Sequence, residues 1–299
     1  MTHSPLQPLI TIPPKRGGNV FLTGWRRRRK HTHTLIFLHG RGDSTNNFMR
    51  ALERWRTTGQ SRGRKKDIRK AFPTLRIVFP QAPSRKIAAE PASQDARPQW
   101  FDVWDSTKPA LNPEVQIPGL QHSIPLLEAL IRHEASLLGN DTTKIIIAGF
   151  SMGGGTCAHL LFNLPCALGA FVGLSCRLPF VSPERKTMAD YREVLGLGLT
   201  TTSSAADKAE GAEAVKRTPV LLEHCADDPL VTVQMGREMR DALRQLGFEK
   251  VEWREYEDGG HELKHGQGVD DFVEFLGRVL FDKGEEGEGR RNDEKMENN

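Results

Sequence analysis

The passage from Lys144 to Gly155 constrains the fold more than any other. Lys144-Ile145-Ile146-Ile147-Ala148-Gly149 is a β-branched, apolar run suited to a strand buried on both faces. Within two residues it gives way to Met152–Asn163, which reads as a helix. Between them Gly149-Phe150-Ser151-Met152-Gly153 spells G-x-S-x-G. A strand that enters a helix through this motif is the context a nucleophile elbow requires. Such a turn is strained, and a side chain at 149 or 153 would meet neighbouring backbone. The plainer reading is a glycine-rich strand-to-helix turn with a capping serine. Agreement of motif and context favours the elbow, with Ser151 as the nucleophile.

The surrounding periodicity predicts an α/β fold with a mostly parallel sheet and helices on both faces. Strands are expected at Leu35–Leu38, Leu75–Phe79, Lys144–Gly149, Ala170–Leu174, Pro219–Glu223 and Lys250–Tyr256. Helices are expected at Leu120–Leu138, Met152–Asn163, Val231–Leu246 and Asp270–Phe281. The segment 57–70 is basic and reads as an insertion, and the polar segment 184–216 reads as a long surface excursion. Residues 1–30 form an N-terminal extension with a basic run, 31–282 the domain, and 283–299 a charged tail expected to be disordered.

A serine hydroxyl needs a base, and in this architecture the partners follow in the order Ser, Asp, His. Asp227 and Asp228 both lie just past the Pro219–Glu223 strand, at the sheet edge where open α/β folds place ligands. One is expected to hold a histidine tautomer and the other to cap the helix from Val231. The strand 250–256 then leads through Asp258-Gly259-Gly260 to His261, and two glycines let that loop return to the serine. An oxyanion hole needs two backbone N–H groups. Met152 should supply one and the loop His39-Gly40-Arg41-Gly42-Asp43 the other. Activity should rise as pH passes the ordinary imidazole range, near ~6.5.

Composition narrows the alternatives. The 299 residues carry 42 Lys and Arg against 38 Asp and Glu, and the four Cys are widely spaced. This excludes collagen-like and disulfide-scaffold classes and points to a reducing compartment. Met1–Pro14 has no continuous apolar stretch, so no signal peptide is expected, and the location read is cytoplasmic, with a nuclear share possible. Residues 1–80 hold 18 Lys and Arg against three acids, concentrated at 26–30 and 62–70. A non-catalytic basic binding protein is therefore one competing reading, but no aromatic platform for nucleic acid is interleaved. No stable nucleic-acid partner is expected, and a weak association with an anionic membrane surface is a secondary reading. His261-Glu262-Leu263-Lys264-His265 spells H-E-x-x-H, so a zinc hydrolase is another. The preceding Asp258-Gly259-Gly260 argues for a loop there, and that reading leaves Ser151 unexplained. Neither metal nor organic cofactor is expected.

Seven co-linear segments carry a resemblance: Leu35–Asp43, Phe79-Pro80-Gln81-Ala82-Pro83, Trp100-Phe101-Asp102, Gly149–Gly154, Gly173–Pro179, Asp228-Pro229-Leu230-Val231 and Gly260-His261. Together, over residues 34–282, they resemble the acyl-protein thioesterase/carboxylesterase (phospholipase-carboxylesterase) family of α/β-hydrolases. The resemblance implies the triad Ser151, Asp228 and His261, since the family's acid directly precedes Pro-Leu-Val. It implies oxyanion amides at Arg41 and Met152, and a substrate pocket around His39, Gly40, Gly42, Trp100 and Phe101. It implies hydrolysis of an ester or thioester, on an S-acylated protein, a lysophospholipid or a small ester, through an acyl-enzyme. Met152 stands where the family commonly has Gln, and Arg41 where it usually has an apolar residue. Loops 104–123 and 177–217 are expected to shape the acyl pocket.

Overall fold

The computed structural model describes residues 9–12, 31–59, 67–90, 92, 95–105, 107–197 and 205–281. The basic run 26–30, residues 62–66 of the second basic run and the tail 283–299 lie outside the described residues.

Nine strands and eight α-helices are described. In chain order they are β1 (Leu9–Ile12), β2 (His33–Leu38), α1 (Thr45–Arg54), α2 (Ile68–Ala71), β3 (Leu75–Pro80), β4 (Ser84–Lys86), β5 (Ala96–Pro98), α3 (Ile117–Ser136), β6 (Ile145–Phe150), α4 (Met152–Asn163), β7 (Ala170–Leu174), α5 (Met188–Val194), α6 (Ala205–Lys216), β8 (Val220–Cys225), α7 (Val233–Gln245), β9 (Val251–Tyr256) and α8 (Gln267–Phe281). Seven strands form one sheet in the order β1-β3-β2-β6-β7-β8-β9. Six of them run parallel, and β1 closes one edge antiparallel to β3. The strands β4 and β5 pair as a separate two-stranded ribbon. All six strands expected from the sequence are present, within two residues at either end.

The strands alternate their side chains between two apolar cores. Ile36, Leu38, Ile145, Ile147 and Leu222 face one core, which α3, α4, α5 and α7 cover with Leu120, Leu161, Tyr191 and Leu243 among others. Leu35, Phe37, Ile146, Ala148 and Leu221 face the other, covered by α1 and α8 through Phe48, Leu52, Phe272 and Leu276. Burial on both faces explains the unbroken apolar runs of the central strands.

Two expectations are corrected. The segment 184–216 is not simply a surface excursion. Within it α5 and α6 pack inward, with Tyr191, Leu195 and Val215 almost completely buried. A capping box at Thr187 and Asp190 starts α5. Likewise the end of the basic insertion is helical, and Ile68 of α2 is buried in the second core. Here a few apolar anchors outweigh a polar local composition, because each buried side chain contributes ~1.5–3 kcal/mol.

The topology carries the C-terminal ends of β2, β6, β7, β8 and β9 to one edge. Two close approaches hold β6 and α4 together there. A Cβ on Gly149 would lie 2.3 Å from the carbonyl carbon of Gly153, and one on Gly153 would lie 2.5 Å from the oxygen of Leu38. Both obstacles are backbone atoms that cannot step aside. Gly149→Ala is therefore expected to destabilise the fold by about 3 kcal/mol or more. Gly277→Ala, on the open face of α8 where a Cβ meets nothing within 4 Å, should stabilise it by ~0.5–1 kcal/mol. Chemical denaturation of the two variants measures both.

Beside this edge Glu223 of β8 is buried, and neither carboxyl oxygen has a hydrogen-bond partner among the described residues. Burial, and then the nearby Asp271 carboxylate, push its pKa well above the ordinary value. A raised acid pKa means that the folded chain holds a proton that the unfolded chain releases. Stability therefore falls as pH rises above the unfolded value near 4.5. Glu223→Gln removes that dependence. Its gain in Tm over the wild type should be at least about 2 °C larger at pH 8 than at pH 5, in parallel thermal melts.

Candidate active site

Ser151 sits between β6 and α4 with φ 53° and ψ −120°, a conformation a non-glycine residue adopts only under strain. Its backbone N–H donates to Leu174 O of β7 at 2.8 Å, which pins the turn to the neighbouring strand. The side chain is thereby carried at the end of the sheet, at the N-terminus of the twelve-residue α4.

The loop after β2 lies directly against it. A Cβ on Gly40 would be 3.5 Å from Ser151 Cβ and 3.2 Å from the Phe150 ring. This loop is braced by the segment from Pro98 to Asp102. Trp100 Nε1–H donates to His39 O at 2.9 Å, and Gly42 N–H donates to Pro98 O at 2.7 Å. The Arg41 guanidinium donates to Gln99 Oε1 at 2.9 Å and lies 3.5 Å from Asp102 Oδ1. The His39 ring is fully buried; Nδ1–H donates to Gly40 O at 2.7 Å, and Nε2 accepts from Ala82 N–H at 3.1 Å. Burial lowers its pKa, consistent with this neutral tautomer.

Asp228 and His261 meet 33 residues apart in sequence, with His261 Nδ1 2.8 Å from Asp228 Oδ2. Burial opposes ionisation of Asp228. Hydrogen bonds from His224, His261 and the Val231 N–H outweigh it and hold its pKa well below the ordinary carboxylate value. An ionised carboxylate only accepts, so His261 Nδ1 is the donor. The other oxygen, Oδ1, accepts from Leu230 N–H and Val231 N–H, both at 2.9 Å. His224 is buried and donates from Nε2 to Val231 O at 2.7 Å, with Asp228 Oδ2 3.4 Å away.

The expected division of labour between the two aspartates is corrected. Neither caps α7, whose N-cap is Thr232. Asp227 instead accepts from Gly260 N–H at 2.7 Å and Gly259 N–H at 3.2 Å. Both glycines have positive φ, so the return of the chain to His261 uses conformations that favour glycine. Ser175 Oγ, which donates to Glu262 O at 3.1 Å, ties the far side of this loop to β7.

A cavity of about 390 Å³ opens here, lined by Gly40, Arg41, Asp43, Phe101, Val103, Phe150, Ser151, Met152, Arg177, Leu230, Val231 and His261. Of the residues anticipated for the site, Ser151, His261, Arg41, Met152, Gly40 and Phe101 line it together. Asp228 lies behind His261. His39, Gly42 and Trp100 do not line it: His39 and Trp100 are fully buried and shape the loop from beneath, and Gly42 turns outward to Pro98. Among the described residues of the loops 104–123 and 177–217, only Arg177 contributes to the lining. Burial pushes the Arg177 guanidinium down to about 10. Phe150, Arg177, Leu230 and Val231 fall within segments singled out from the sequence but not as lining residues, and Val103 had no local signal; each belongs to the cavity through the way the strand ends converge.

His261 to His265 precedes α8 in irregular backbone, so the two imidazoles do not share a helix face as the zinc reading requires. His265 pairs instead with Glu262 at 3.2 Å. Cys157 and Cys176 are buried, and burial raises both thiols, Cys176 to about 12. Cys166 is partly buried. Among the described residues no helix is long and apolar enough to cross a membrane.

Removing the Asp227 carboxylate should free the loop ahead of His261. In Asp227→Ala, amide hydrogen exchange at Gly259 and Gly260 is expected to accelerate at least ~10-fold, with the exchange of β6 unchanged.

Comparison with known proteins agrees with this architecture. The family model described as Phospholipase/Carboxylesterase matches residues 25–192 and 185–280. Acyl-protein thioesterase 1 of Neurospora crassa is 28% identical over 263 residues, covering 86% of this chain and 92% of the relative. Acyl-protein thioesterase 1 of Yarrowia lipolytica is 27% identical over 278 residues, covering 91% and 96%. In three dimensions the chain resembles the crystal structure of Zea mays acyl-protein thioesterase 2, with a TM-score of 0.61 at 22% identity over 91% of this chain and 98% of that one.

Proposed function

We propose, for a chain that belongs to the phospholipase/carboxylesterase family of α/β-hydrolases and is a hydrolase of the EC 3.1 class, a serine-hydrolase mechanism acting on carboxylic esters or thioesters. The observation that carries the proposal is the shared cavity. Ser151, on a strained turn, and His261, tied to Asp228 at 2.8 Å, both line it.

The mechanism follows from the proton inventory. Because His261 donates from Nδ1 to Asp228, the neutral ring has its lone pair on Nε2. That nitrogen takes the Ser151 proton as Oγ attacks the substrate carbonyl. Asp228, kept ionised by its hydrogen bonds, stabilises the imidazolium that forms. The backbone N–H groups of Arg41 and Met152 receive the oxyanion, Met152 with the added field of the α4 N-terminus. His261 then protonates the departing alcohol or thiol, and water cleaves the acyl-enzyme by the reverse sequence. His39 and Trp100 serve as props that set the Gly40-Arg41 backbone.

The leaving group is an alcohol or a thiol under the same machinery. S-acylated proteins are the substrate class favoured by the names of the relatives, and lysophospholipids or small esters are the alternatives. Ser151→Ala should lower turnover of p-nitrophenyl acyl esters by ~10⁴-fold or more, with unchanged circular dichroism and thermal melt. Turnover that survives this substitution removes Ser151 from the mechanism. A parallel series of acyl esters and acyl thioesters of increasing chain length ranks the substrate classes.

A further inference from the structure

Arg177 stands out among the cavity residues because no carboxylate among the described residues neutralises its charge. It follows Cys176 beyond the end of β7, and its backbone oxygen lies 2.7 Å from where a Cβ on Gly155 would be. Its chain is thus held against the first turn of α4, next to Ser151. The guanidinium has five N–H donors. One, on Nη2, is used on Gln116 Oε1 at 3.0 Å. Gln116 is buried, and its own Nε2 donates to Pro109 O at 3.3 Å, which fixes the amide with its oxygen toward Arg177. No carboxylate among the described residues comes within ion-pairing distance of Arg177. The other arginine of the cavity makes the contrast. Arg41 is matched by Asp102 and spends its donors on Gln99 and Val103.

A guanidinium that is partly withdrawn from water and given only a neutral acceptor is costly to maintain. In a substrate cavity such a group becomes favourable when the ligand brings the missing charge, since a planar fork pairs bidentately with carboxylate or phosphate. Asp43, which also lines the cavity, does not supply it: its Oδ1 accepts from Ser44 N–H at 2.7 Å on the opposite loop.

We infer that Arg177 is a specificity-determining residue that selects esters bearing an oxyanion, a carboxylate or a phosphate, placed to reach the guanidinium while the acyl carbonyl lies at Ser151. The inference rests on the ester-hydrolase reading of the cavity. The anion has two possible sources. It is either the far end of the acyl group or part of the leaving group.

Two matched pairs of substrates distinguish them. On the acyl side, the mono-p-nitrophenyl ester of suberic acid is compared with p-nitrophenyl octanoate. On the leaving-group side, 1-octanoylglycerol 3-phosphate is compared with 1-octanoylglycerol. For each pair the ratio of kcat/KM, anionic over neutral, is measured in the wild type, Arg177→Lys and Arg177→Met. The wild type should favour the anionic member of at least one pair. That ratio should fall at least ~10-fold in Arg177→Met and be kept in part by Arg177→Lys. The responding pair assigns the source of the anion. Equal ratios in wild type and Arg177→Met for both pairs overturn the inference. If Arg177→Met does not fold, the wild type still decides: preference for the neutral member in both pairs overturns it, and preference for an anionic member weakened in Arg177→Lys supports it. Failure to hydrolyse any of the four esters would remove the ester-hydrolase reading and this inference with it, an outcome distinct from hydrolysis without discrimination.

Discussion

Everything at the site depends on how closely β6 approaches the first turn of α4. Backbone meets backbone there, with Gly149 against Gly153 and Gly153 against Leu38, at separations that leave no room for a methyl group. This contact holds Ser151 at φ 53° and aims it off the end of the sheet. The strain in that one residue is supported by two cores, one on each face of the strands, that leave β6 no alternative register.

Around the turn the site is assembled mainly by backbone hydrogen bonds. Asp227 holds Gly259 and Gly260, Ser175 holds Glu262, and Trp100 and His39 hold the loop through Gly40. Loops are ordinarily the softer parts of a fold. Here the loop ahead of His261 is held by the exposed Asp227 and the buried Ser175, and the loop through Gly40 by the buried Trp100. The Asp228 carboxylate is the clearest case. It is buried, yet it accepts from His261 Nδ1 and from the Leu230 and Val231 amides, with His224 Nε2 3.4 Å away, so its charge is retained. Arg177 is the exception to this economy, which makes it the residue through which a substrate's charge would be read.

Much of this was legible beforehand, for identifiable reasons. The strands declared themselves because burial on both faces leaves an unbroken apolar run, as at Ile145-Ile146-Ile147. Ser151 and His261 could be picked out because their turns need glycines at particular spacings. Less was legible where tertiary contacts override local composition. Helix α1 was not anticipated, although Ser44 caps it and Phe48 and Leu52 anchor it, because six of its ten residues are polar or charged. Helices α5 and α6 were read as surface because their anchors are few. His39 and Trp100 were expected to touch substrate but support the loop instead, since adjacency in sequence to a site does not say on which side of the backbone a ring lies.

The sequence by itself determined the order of the six parallel strands and of four of the helices around them, the family to which the chain belongs, and the candidate nucleophile and base. These follow from periodicity, from glycine's freedom at tight turns and from motifs that are contiguous in the chain. The residues read one by one left Asp227 and Asp228 equivalent, and the resemblance alone favoured Asp228; only the tertiary structure decided what holds the loops and which residues line the cavity. Those are matters of distance between segments far apart in the chain. Asp227 and Asp228 are neighbours with the same side chain, and only the direction in which each leaves the end of β8 gives one to an imidazole and the other to two glycine amides.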